Sequence, residues 1–254
     1  MIQIINADVI AGLKSLPEKS VHCVITSPPY WGLRDYGVEG QIGLEKSPEE
    51  YLEKMVQVFR EVKRVLRDDG TAWVNMGDNY ATGGYEPHDK GAALNGYDCP
   101  AGWAAAARGQ GAMKIAGVGG LKQKDLVGMP WRVAFALQTD GWYLRSDIIW
   151  SKPNPMPESV TDRPTKSHEY VFLLTKKARY YYDADAVREA HEPATIERAK
   201  NPKTSNPSWH TVPGTEKRWN VEERKLNPAG RNRRTVWEIA TQPFPGSHFA
   251  TFPE

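Results

Sequence analysis

A serine, two prolines and a tyrosine stand together directly after an apolar run. Residues 26–31 read Thr-Ser-Pro-Pro-Tyr-Trp, and they follow residues 21–25, which have the composition of a buried strand. Proline removes a backbone donor and fixes its own φ, so the two prolines end the strand and set the direction of the nearby carbonyl groups. The serine adds a hydroxyl that both accepts and donates hydrogen bonds, and the tyrosine adds a flat apolar ring.

This combination suits a planar group that bears an amine. A hydroxyl and a carbonyl oxygen can accept its N–H bonds while an aromatic ring stacks on its face. The exocyclic amine of cytosine or adenine is a weak nucleophile, and acceptors off the ring plane, with in-line alignment to an electrophilic methyl group, would help it react. A purely structural proline turn is the alternative. The candidate catalytic residues are Ser27, Pro28, Pro29 and Tyr30.

Strand and helix patterns alternate along the chain. Strands are predicted at residues 2–5, 21–25, 71–76, 142–150, 168–175 and 179–182, and helices at 8–16, 48–67 and 130–139. The alternation predicts an α/β, doubly wound, mostly parallel sheet, and the short link at 176–178 predicts an antiparallel hairpin at its edge. His168 and Glu169 open an apolar strand and are predicted to be structural. Ligands of open sheets bind at the carboxyl ends of strands, where residues 26–31 lie.

Length and composition indicate one main domain. The chain has 254 residues, 40% of them hydrophobic and 25% charged, and no window is apolar enough for a membrane span. The first residues do not resemble a secretory signal. Two cysteines, Cys23 and Cys99, fit a reducing compartment and offer neither a disulfide framework nor a metal cluster. We therefore expect a cytoplasmic protein without a metal site or a membrane partner.

Positive charge is concentrated late in the sequence. Residues 188–235 hold eleven Lys or Arg and six Asp or Glu, whereas residues 1–80 hold nine and twelve. Trp209 and Trp219 lie within the basic segment, and such a mixture is typical of surfaces that bind phosphates and stack on bases. An ordinary solvated loop is an equally good interpretation of this composition.

The motif at residues 26–31 resembles the catalytic motif of the DNA amino-methyltransferases, which transfer a methyl group from S-adenosylmethionine to N4 of cytosine or N6 of adenine. Flanking sequences extend the resemblance over most of the chain. They are Asn6-Ala7-Asp8, Leu16-Pro17 and Ser20-Val21-His22 before the motif, and Trp150-Ser151-Lys152-Pro153-Asn154 and His248-Phe249-Ala250-Thr251-Phe252-Pro253 after it. This order is similar to that of the family's beta class and implies a Rossmann-like methyltransferase sheet.

The resemblance implies roles for individual residues. Ser27, Pro28 and Tyr30 would hold the flipped base, with Ser27 and the Pro28 carbonyl on its amine. The cofactor S-adenosylmethionine would be bound by Asp8, Ser27, His248 and Phe252, although Asp8 also suits the N-cap of the first helix. The substrate-binding residues would be Trp31, Lys152, Pro153, Trp209, Arg218, Trp219, Arg231, Arg233 and Arg234. Serine before two prolines is frequent among the cytosine enzymes, so cytosine is the predicted base and adenine the alternative.

The same resemblance divides the chain into three parts. Residues 1–187 would form the catalytic core, residues 188–235 the target-recognition segment, and residues 236–254 a return to the core. Within the core, the glycine-rich composition of residues 82–124 predicts a mobile insertion that forms no further layer of the core. In the beta class a glycine-rich cofactor turn follows the last signature, and this sequence stops before it, so an incomplete core is expected. Residues 242–247 follow an apolar run but lack the leading acid of that turn.

Two other functions stay open. An enzyme of this kind could act on a protein glutamine amide, although the basic segment speaks against it, and the chain could be a catalytically inactive DNA-binding remnant. Double-stranded DNA is the predicted partner. A cognate restriction endonuclease and a second copy of the chain are further candidate partners.

Overall fold

The computed structural model describes residues 2–33, 35, 37–81, 115–200 and 226–242. The helices in these ranges are α1 Val9–Lys14, α2 Pro48–Val65, α3 Met129–Thr139 and α4 Pro193–Lys200, with a short 3-10 turn at Val118–Gly120. The strands are β1 Val21–Thr26, β2 Leu66–Met76, β3 Tyr143–Ser151, β4 His168–Thr175 and β5 Val236–Glu238. None of these helices is long and apolar enough to cross a membrane.

The described chain forms two compact units. One contains the residues up to Tyr181 together with those from Thr235 onwards, and the other contains Tyr182–Arg234. All five strands belong to the first unit and make one sheet in the order β1-β2-β4-β3-β5. The second unit contains α4.

Four of the five strands run in the same direction. β1 is parallel to β2, β3 is parallel to β5, and β4 is antiparallel to both of its neighbours, β2 and β3. The predicted α/β, Rossmann-like fold is confirmed, but the predicted hairpin at the sheet edge is wrong. Residues 179–182 form no strand. Because β4 is hydrogen-bonded on both sides, it has no free edge for a hairpin partner, and the antiparallel strand lies inside the sheet.

The strand predicted at residues 2–5 is also absent. Ile2 and Ile4 are almost fully exposed, and no described strand lies beside this segment. β1 itself is hydrogen-bonded to β2 only, within the described residues, and Ile25 on it is largely exposed. The apolar pattern of residues 2–5 was therefore not sufficient to give a strand without a partner to pair with.

The helix α2 follows its sequence pattern closely. The Ser47 hydroxyl accepts a hydrogen bond from the Glu50 backbone N–H at 3.2 Å, and a proline stands in the first turn. Its buried face packs on the sheet and on α3, and Phe59 meets Trp142 edge to face with ring centroids 6.1 Å apart. At the far end, the Arg64 guanidinium donates to carbonyl groups of Leu13 and Leu16, which fixes the end of α1.

The insertion predicted at residues 82–124 lies partly outside the described residues. Residues 115–124 are described, and they contribute side chains to the core. Ile115 and Leu121 are buried in the main hydrophobic core, because they are the large aliphatic side chains of an otherwise glycine-rich stretch. Backbone hydrogen bonds of 2.8 Å from Ala81 to Asp125 and from Lys124 to Ala81 join the two ends.

Candidate active site

The serine of the proline turn lies at the carboxyl end of β1, beside a buried asparagine of β2. Because β1 and β2 are parallel and in register at Thr26 and Val74, both side chains emerge at the same edge of the sheet. The Ser27 hydroxyl donates to Asn75 Oδ1 at 3.4 Å and lies 3.3 Å from the hydroxyl of Tyr30. The sheet therefore places the three polar groups in one cluster.

The orientation of the Asn75 amide is fixed by the neighbouring strand. Its Nδ2 donates to the carbonyl of Tyr170 at 3.2 Å, so its oxygen must face the two hydroxyls. Ser27 can donate its proton to Asn75 or Tyr30, which leaves the serine oxygen's lone pairs to accept a hydrogen bond from a ligand. A serine held in this way is a preorganised acceptor.

An ion pair completes the cluster on the side of Tyr30. The Tyr30 hydroxyl donates to Glu169 Oε2 at 3.1 Å, and Lys152 Nζ donates to the other carboxylate oxygen at 2.5 Å. The Lys152 ammonium also lies 4.4 Å from the centre of the Trp150 ring. Burial, and then the charge of Glu169, raise the pKa of Tyr30 above its ordinary value. The phenol is therefore a neutral donor at any working pH.

The two proline carbonyls have different surroundings. The carbonyl of Pro29 accepts a hydrogen bond of 2.8 Å from the buried hydroxyl of Tyr51. Among the described residues no group donates to the carbonyl of Pro28. Pro28 thus offers a second acceptor beside Ser27, and Tyr51 holds the turn from the α2 side.

The Tyr30 ring packs so closely against residue 77 that a glycine is needed there. A Cβ added to Gly77, directly after β2, would lie 2.8 Å from Cε2 of the Tyr30 ring. On the other side, Gly43 has a φ of +110° and its carbonyl accepts a 2.7 Å hydrogen bond from the Gly32 backbone N–H. The Tyr30 ring is therefore packed against the end of β2, and the Tyr30 backbone against the loop before α2.

We expect Tyr51→Phe to lower the free energy of unfolding by about 1–3 kcal/mol, because it leaves the Pro29 carbonyl without its donor in a buried position. Urea unfolding followed by tryptophan fluorescence would measure the change. Tyr143→Phe is the matched control, since Tyr143 is exposed and removal of its hydroxyl should change little. Equal midpoints for the two variants would contradict the supporting role of Tyr51.

The predicted substrate residues of the first unit are placed differently from one another. Trp31, predicted to bind the substrate, is only 1% exposed and its indole N–H donates to the Glu45 carbonyl at 2.9 Å, so that prediction is corrected. Its ring fills the core because the loop before α2 closes over it. Lys152 lies in the cluster, where the carboxylate of Glu169 balances its charge. Pro153, the next residue, is exposed.

The second unit contains the described arginines of the basic segment. Arg231 forms ion pairs with Glu189 and Glu192, at 3.3 and 2.9 Å, and so belongs to the internal contacts of this unit. Arg233 and Arg234 are exposed. The remaining predicted binding residues lie outside the described residues: Trp209, Arg218, Trp219, His248 and Phe252.

Sequence reasoning missed three residues of the cluster. Glu169 was predicted to be structural because it opens an apolar strand, and Asn75 and Tyr51 were not considered. A polar residue near the end of an apolar strand was the one available signal for Asn75. Tyr51 gave none, because it lies on the apolar stripe of α2.

The Asp8 carboxylate caps α1 through one of its two oxygens. Oδ1 caps α1 by accepting from the backbone N–H groups of Ile10 and Ala11 at 3.0 and 3.2 Å, whereas no donor among the described residues reaches Oδ2. This exposed oxygen fits a ligand that carries an amine or a hydroxyl group. No cluster of three metal-ligating side chains occurs in the described part of the chain.

Comparison with known proteins connects this site to one family. The family model described as DNA methylase, for N6 and N4 methyltransferases, matches residues 21–254. The chain is 48% identical over 250 residues to the type II methyltransferase M.Cfr9I of Citrobacter freundii, covering 98% of this chain and 67% of that protein. It is 46% identical over 256 residues to the type II methyltransferase M.SmaI of Serratia marcescens, covering 99% of this chain and 71% of that protein.

A solved structure has the same fold. The PvuII DNA methyltransferase (cytosine-N4-specific) matches with a TM-score of 0.53 at 15% identity, over 97% of this chain and 64% of that one. The chain thus spans about two thirds of the length of these three proteins. The matched model covers the proline turn, Asn75 and Glu169. This chain therefore belongs to the N6 and N4 DNA methylase family, whose methyl donor is S-adenosylmethionine.

Proposed function

We propose that this chain transfers a methyl group from S-adenosylmethionine to the N4 amine of cytosine in double-stranded DNA, with the target base turned out of the helix. The observation that carries the proposal is a pair of acceptors beside the ring of Tyr30 at the carboxyl end of β1. They are Ser27 Oγ, whose own proton can go to Asn75 or Tyr30, and the Pro28 carbonyl, to which no described residue donates. Serine before the two prolines favours cytosine over adenine.

Each residue of the cluster has a part in this reaction. Ser27 and Pro28 accept the two N–H bonds of the amine and hold its nitrogen in a more tetrahedral geometry, which makes the lone pair available. The ring of Tyr30 stacks on the flipped base, and stacking with phosphate contacts offsets the few kcal/mol that unstacking costs. Asn75 and Glu169 hold the two hydroxyls in place.

The cofactor supplies the methyl group as an electrophile when it is bound. Asp8 Oδ2 and Ser27 are the described residues that would contact it, and His248 and Phe252 are predicted to do so from outside the described residues. What the chain itself contributes is orientation: the end of β1, Asn75 of β2 and Tyr30 hold the base-binding serine in one position. Alignment of amine and methyl group accounts for a large part of the acceleration of such a transfer.

Nucleoside mass spectrometry would test the proposal. The full chain is expressed in methylation-deficient cells, and its plasmid DNA is digested to nucleosides. N4-methylcytosine would support the proposed reaction, and N6-methyladenine would replace it with the adenine reaction that the family also includes. DNA without either base, from cells with well-folded protein that still binds DNA, would favour the inactive DNA-binding alternative.

We expect the affinity for DNA to fall steeply with salt, because phosphate contacts by the basic segment release counterions. About four to six contacts correspond to a loss of about 10²–10³-fold between about 50 and 200 mM salt. Fluorescence anisotropy with a labelled duplex measures this slope. Arg233→Gln should reduce the slope by about one contact, whereas Lys14→Gln, on α1, should leave it unchanged. A flat salt dependence would exclude the basic segment from the DNA surface.

A restriction endonuclease of the same specificity is the partner that we propose. The relatives from Citrobacter and Serratia are both named type II methyltransferases, and a modification enzyme of this type protects the sequence that its endonuclease cuts. Plasmid from the expressing cells, digested with a panel of endonucleases, would show protection at one recognition sequence. Uniform cutting of methylated plasmid would argue against such pairing.

A further inference from the structure

We propose that Glu169 is a positioning residue that directs the hydrogen bonds from Ser27 through Tyr30 and receives the proton lost by the amine. This inference rests on the proposed function. The inference adds a role for Glu169, a residue of β4 that the proposed reaction does not require for holding the base. Three observations carry it: the contacts of the Tyr30 hydroxyl, the chemistry of its acceptors, and the ion pair with Lys152.

The Tyr30 hydroxyl has one proton and two acceptors that could take it. Glu169 Oε2 lies at 3.1 Å and Asn75 Oδ1 at 3.3 Å. A carboxylate forms the stronger hydrogen bond because it is charged, so the phenol proton points to Glu169. The phenol oxygen then accepts from the Ser27 hydroxyl, 3.3 Å away, and the serine oxygen accepts from the amine.

Only one of the groups around the Tyr30 hydroxyl can keep a proton. An asparagine amide does not ionise in the working range, and a serine or tyrosine hydroxyl already carries its own proton. Among the described residues in contact with this hydroxyl, Glu169 is the one carboxylate. The chain of hydrogen bonds therefore has a direction, from the amine to Glu169.

The proton transfer balances without any further reactant. As the nitrogen forms its bond to the methyl group, the bond between that methyl group and its sulfur breaks and leaves its electron pair on sulfur. One N–H bond also breaks, and the nitrogen retains that electron pair for conjugation with the ring. The proton goes to Ser27 Oγ, the serine proton goes to Tyr30 Oη, and the tyrosine proton goes to Glu169 Oε2. Serine and tyrosine end unchanged, and Glu169 ends as a neutral acid.

Lys152 holds Glu169 in the orientation that this transfer needs. It binds Oε1, so Oε2 is the oxygen that faces Tyr30. The side chains of Lys152 and Glu169 are 18% and 20% exposed, so water can reach the pair and take the proton away after each turnover. The ion pair is thus exposed enough to release the proton to water and buried enough to keep a single geometry.

A double-mutant cycle of Glu169→Gln and Tyr30→Phe tests the relay. Glutamine keeps the shape and the hydrogen bond of glutamate but cannot take a proton, and phenylalanine keeps the stacking ring. We expect each variant to lower the single-turnover rate of methyl transfer by about 10²-fold, within the range of general acid–base catalysis. Because both interrupt one pathway, the double variant should be no slower than either single variant.

Readouts other than the rate separate this role from a structural one. The Kd for DNA should stay at the wild-type value in all three variants, and each variant should remain folded at the assay temperature even where the lost hydrogen bond or ion pair lowers its stability. Glu158→Gln is the matched control, since Glu158 pairs with Arg163 and has no contact with Tyr30. Its rate should equal that of the wild type.

The outcomes distinguish the relay from the proposed function. An active wild type together with an equally active Glu169→Gln variant, or losses that multiply in the double variant, would overturn the relay alone. Unfolding of the variants at the assay temperature, or a loss of DNA binding that accounts for the loss of rate, would also overturn it. A folded wild-type chain that transfers no methyl group to any DNA would refute the proposed function and the relay with it.

Discussion

Ser27→Ala is expected to slow methyl transfer by about 10²–10³-fold, the loss measured when one preorganised hydrogen-bonding group is removed from a reaction centre. The serine oxygen is the acceptor that the sheet edge presents to the amine, and its own proton is committed to Asn75 or Tyr30. Alanine leaves the backbone of the turn intact because the prolines and Tyr51 still hold it. The affinity for DNA should therefore remain within about twofold, since phosphate contacts supply most of it.

Ser20→Ala is the matched control for this prediction. Ser20 precedes β1 at its opposite end, and its hydroxyl donates to the Pro17 carbonyl at an exposed position. Single-turnover transfer of a labelled methyl group to a duplex gives the rate, and anisotropy gives the affinity. Equal losses of rate and affinity in Ser27→Ala would contradict the base-holding role, and so would a Ser20→Ala variant that is just as slow.

Local sequence signals were sufficient to predict the ends of the elements that flank the candidate site. The prolines after an apolar run predicted the carboxyl end of a strand, and β1 ends at Thr26. The capping residues at Ser47 and Pro48 predicted the start of α2. Both signals depend on interactions within a few residues, which propensities and hydrogen-bonding groups of the local chain determine.

Contacts between distant segments could not be predicted in this way. An antiparallel partner for β4 was expected in the next segment of the chain, but the strand pairs with β2 and β3, so the choice of partner depends on the whole sheet. That choice also brings Glu169 next to Trp150 of β3, and thus close to Lys152. Glu169 belongs to the site for this reason, and no pattern within residues 168–175 indicates it.

The position of the Trp31 side chain could likewise not be predicted from the local sequence. Trp31 was predicted to bind the substrate, because it follows the prolines directly after Tyr30 at the end of a strand. The structure separates them: Tyr30 faces the polar cluster, and Trp31 is packed in the core. The direction of each side chain depends on the loop that includes Gly43 and Glu45, whose packing the sequence does not reveal.

Trp31→Ala is consequently expected to lower the free energy of unfolding by about 3–5 kcal/mol, the usual cost of truncating a large buried aromatic side chain. The side chain is 1% exposed, so its removal leaves a cavity and also deprives the Glu45 carbonyl of its donor. Urea unfolding of the purified chain measures the change. Tyr181→Ala is the control, because Tyr181 is 70% exposed and its truncation should cost less than about 0.5 kcal/mol. If the Trp31→Ala variant had unchanged stability and weakened DNA binding, this would instead indicate that the Trp31 ring contacts the base.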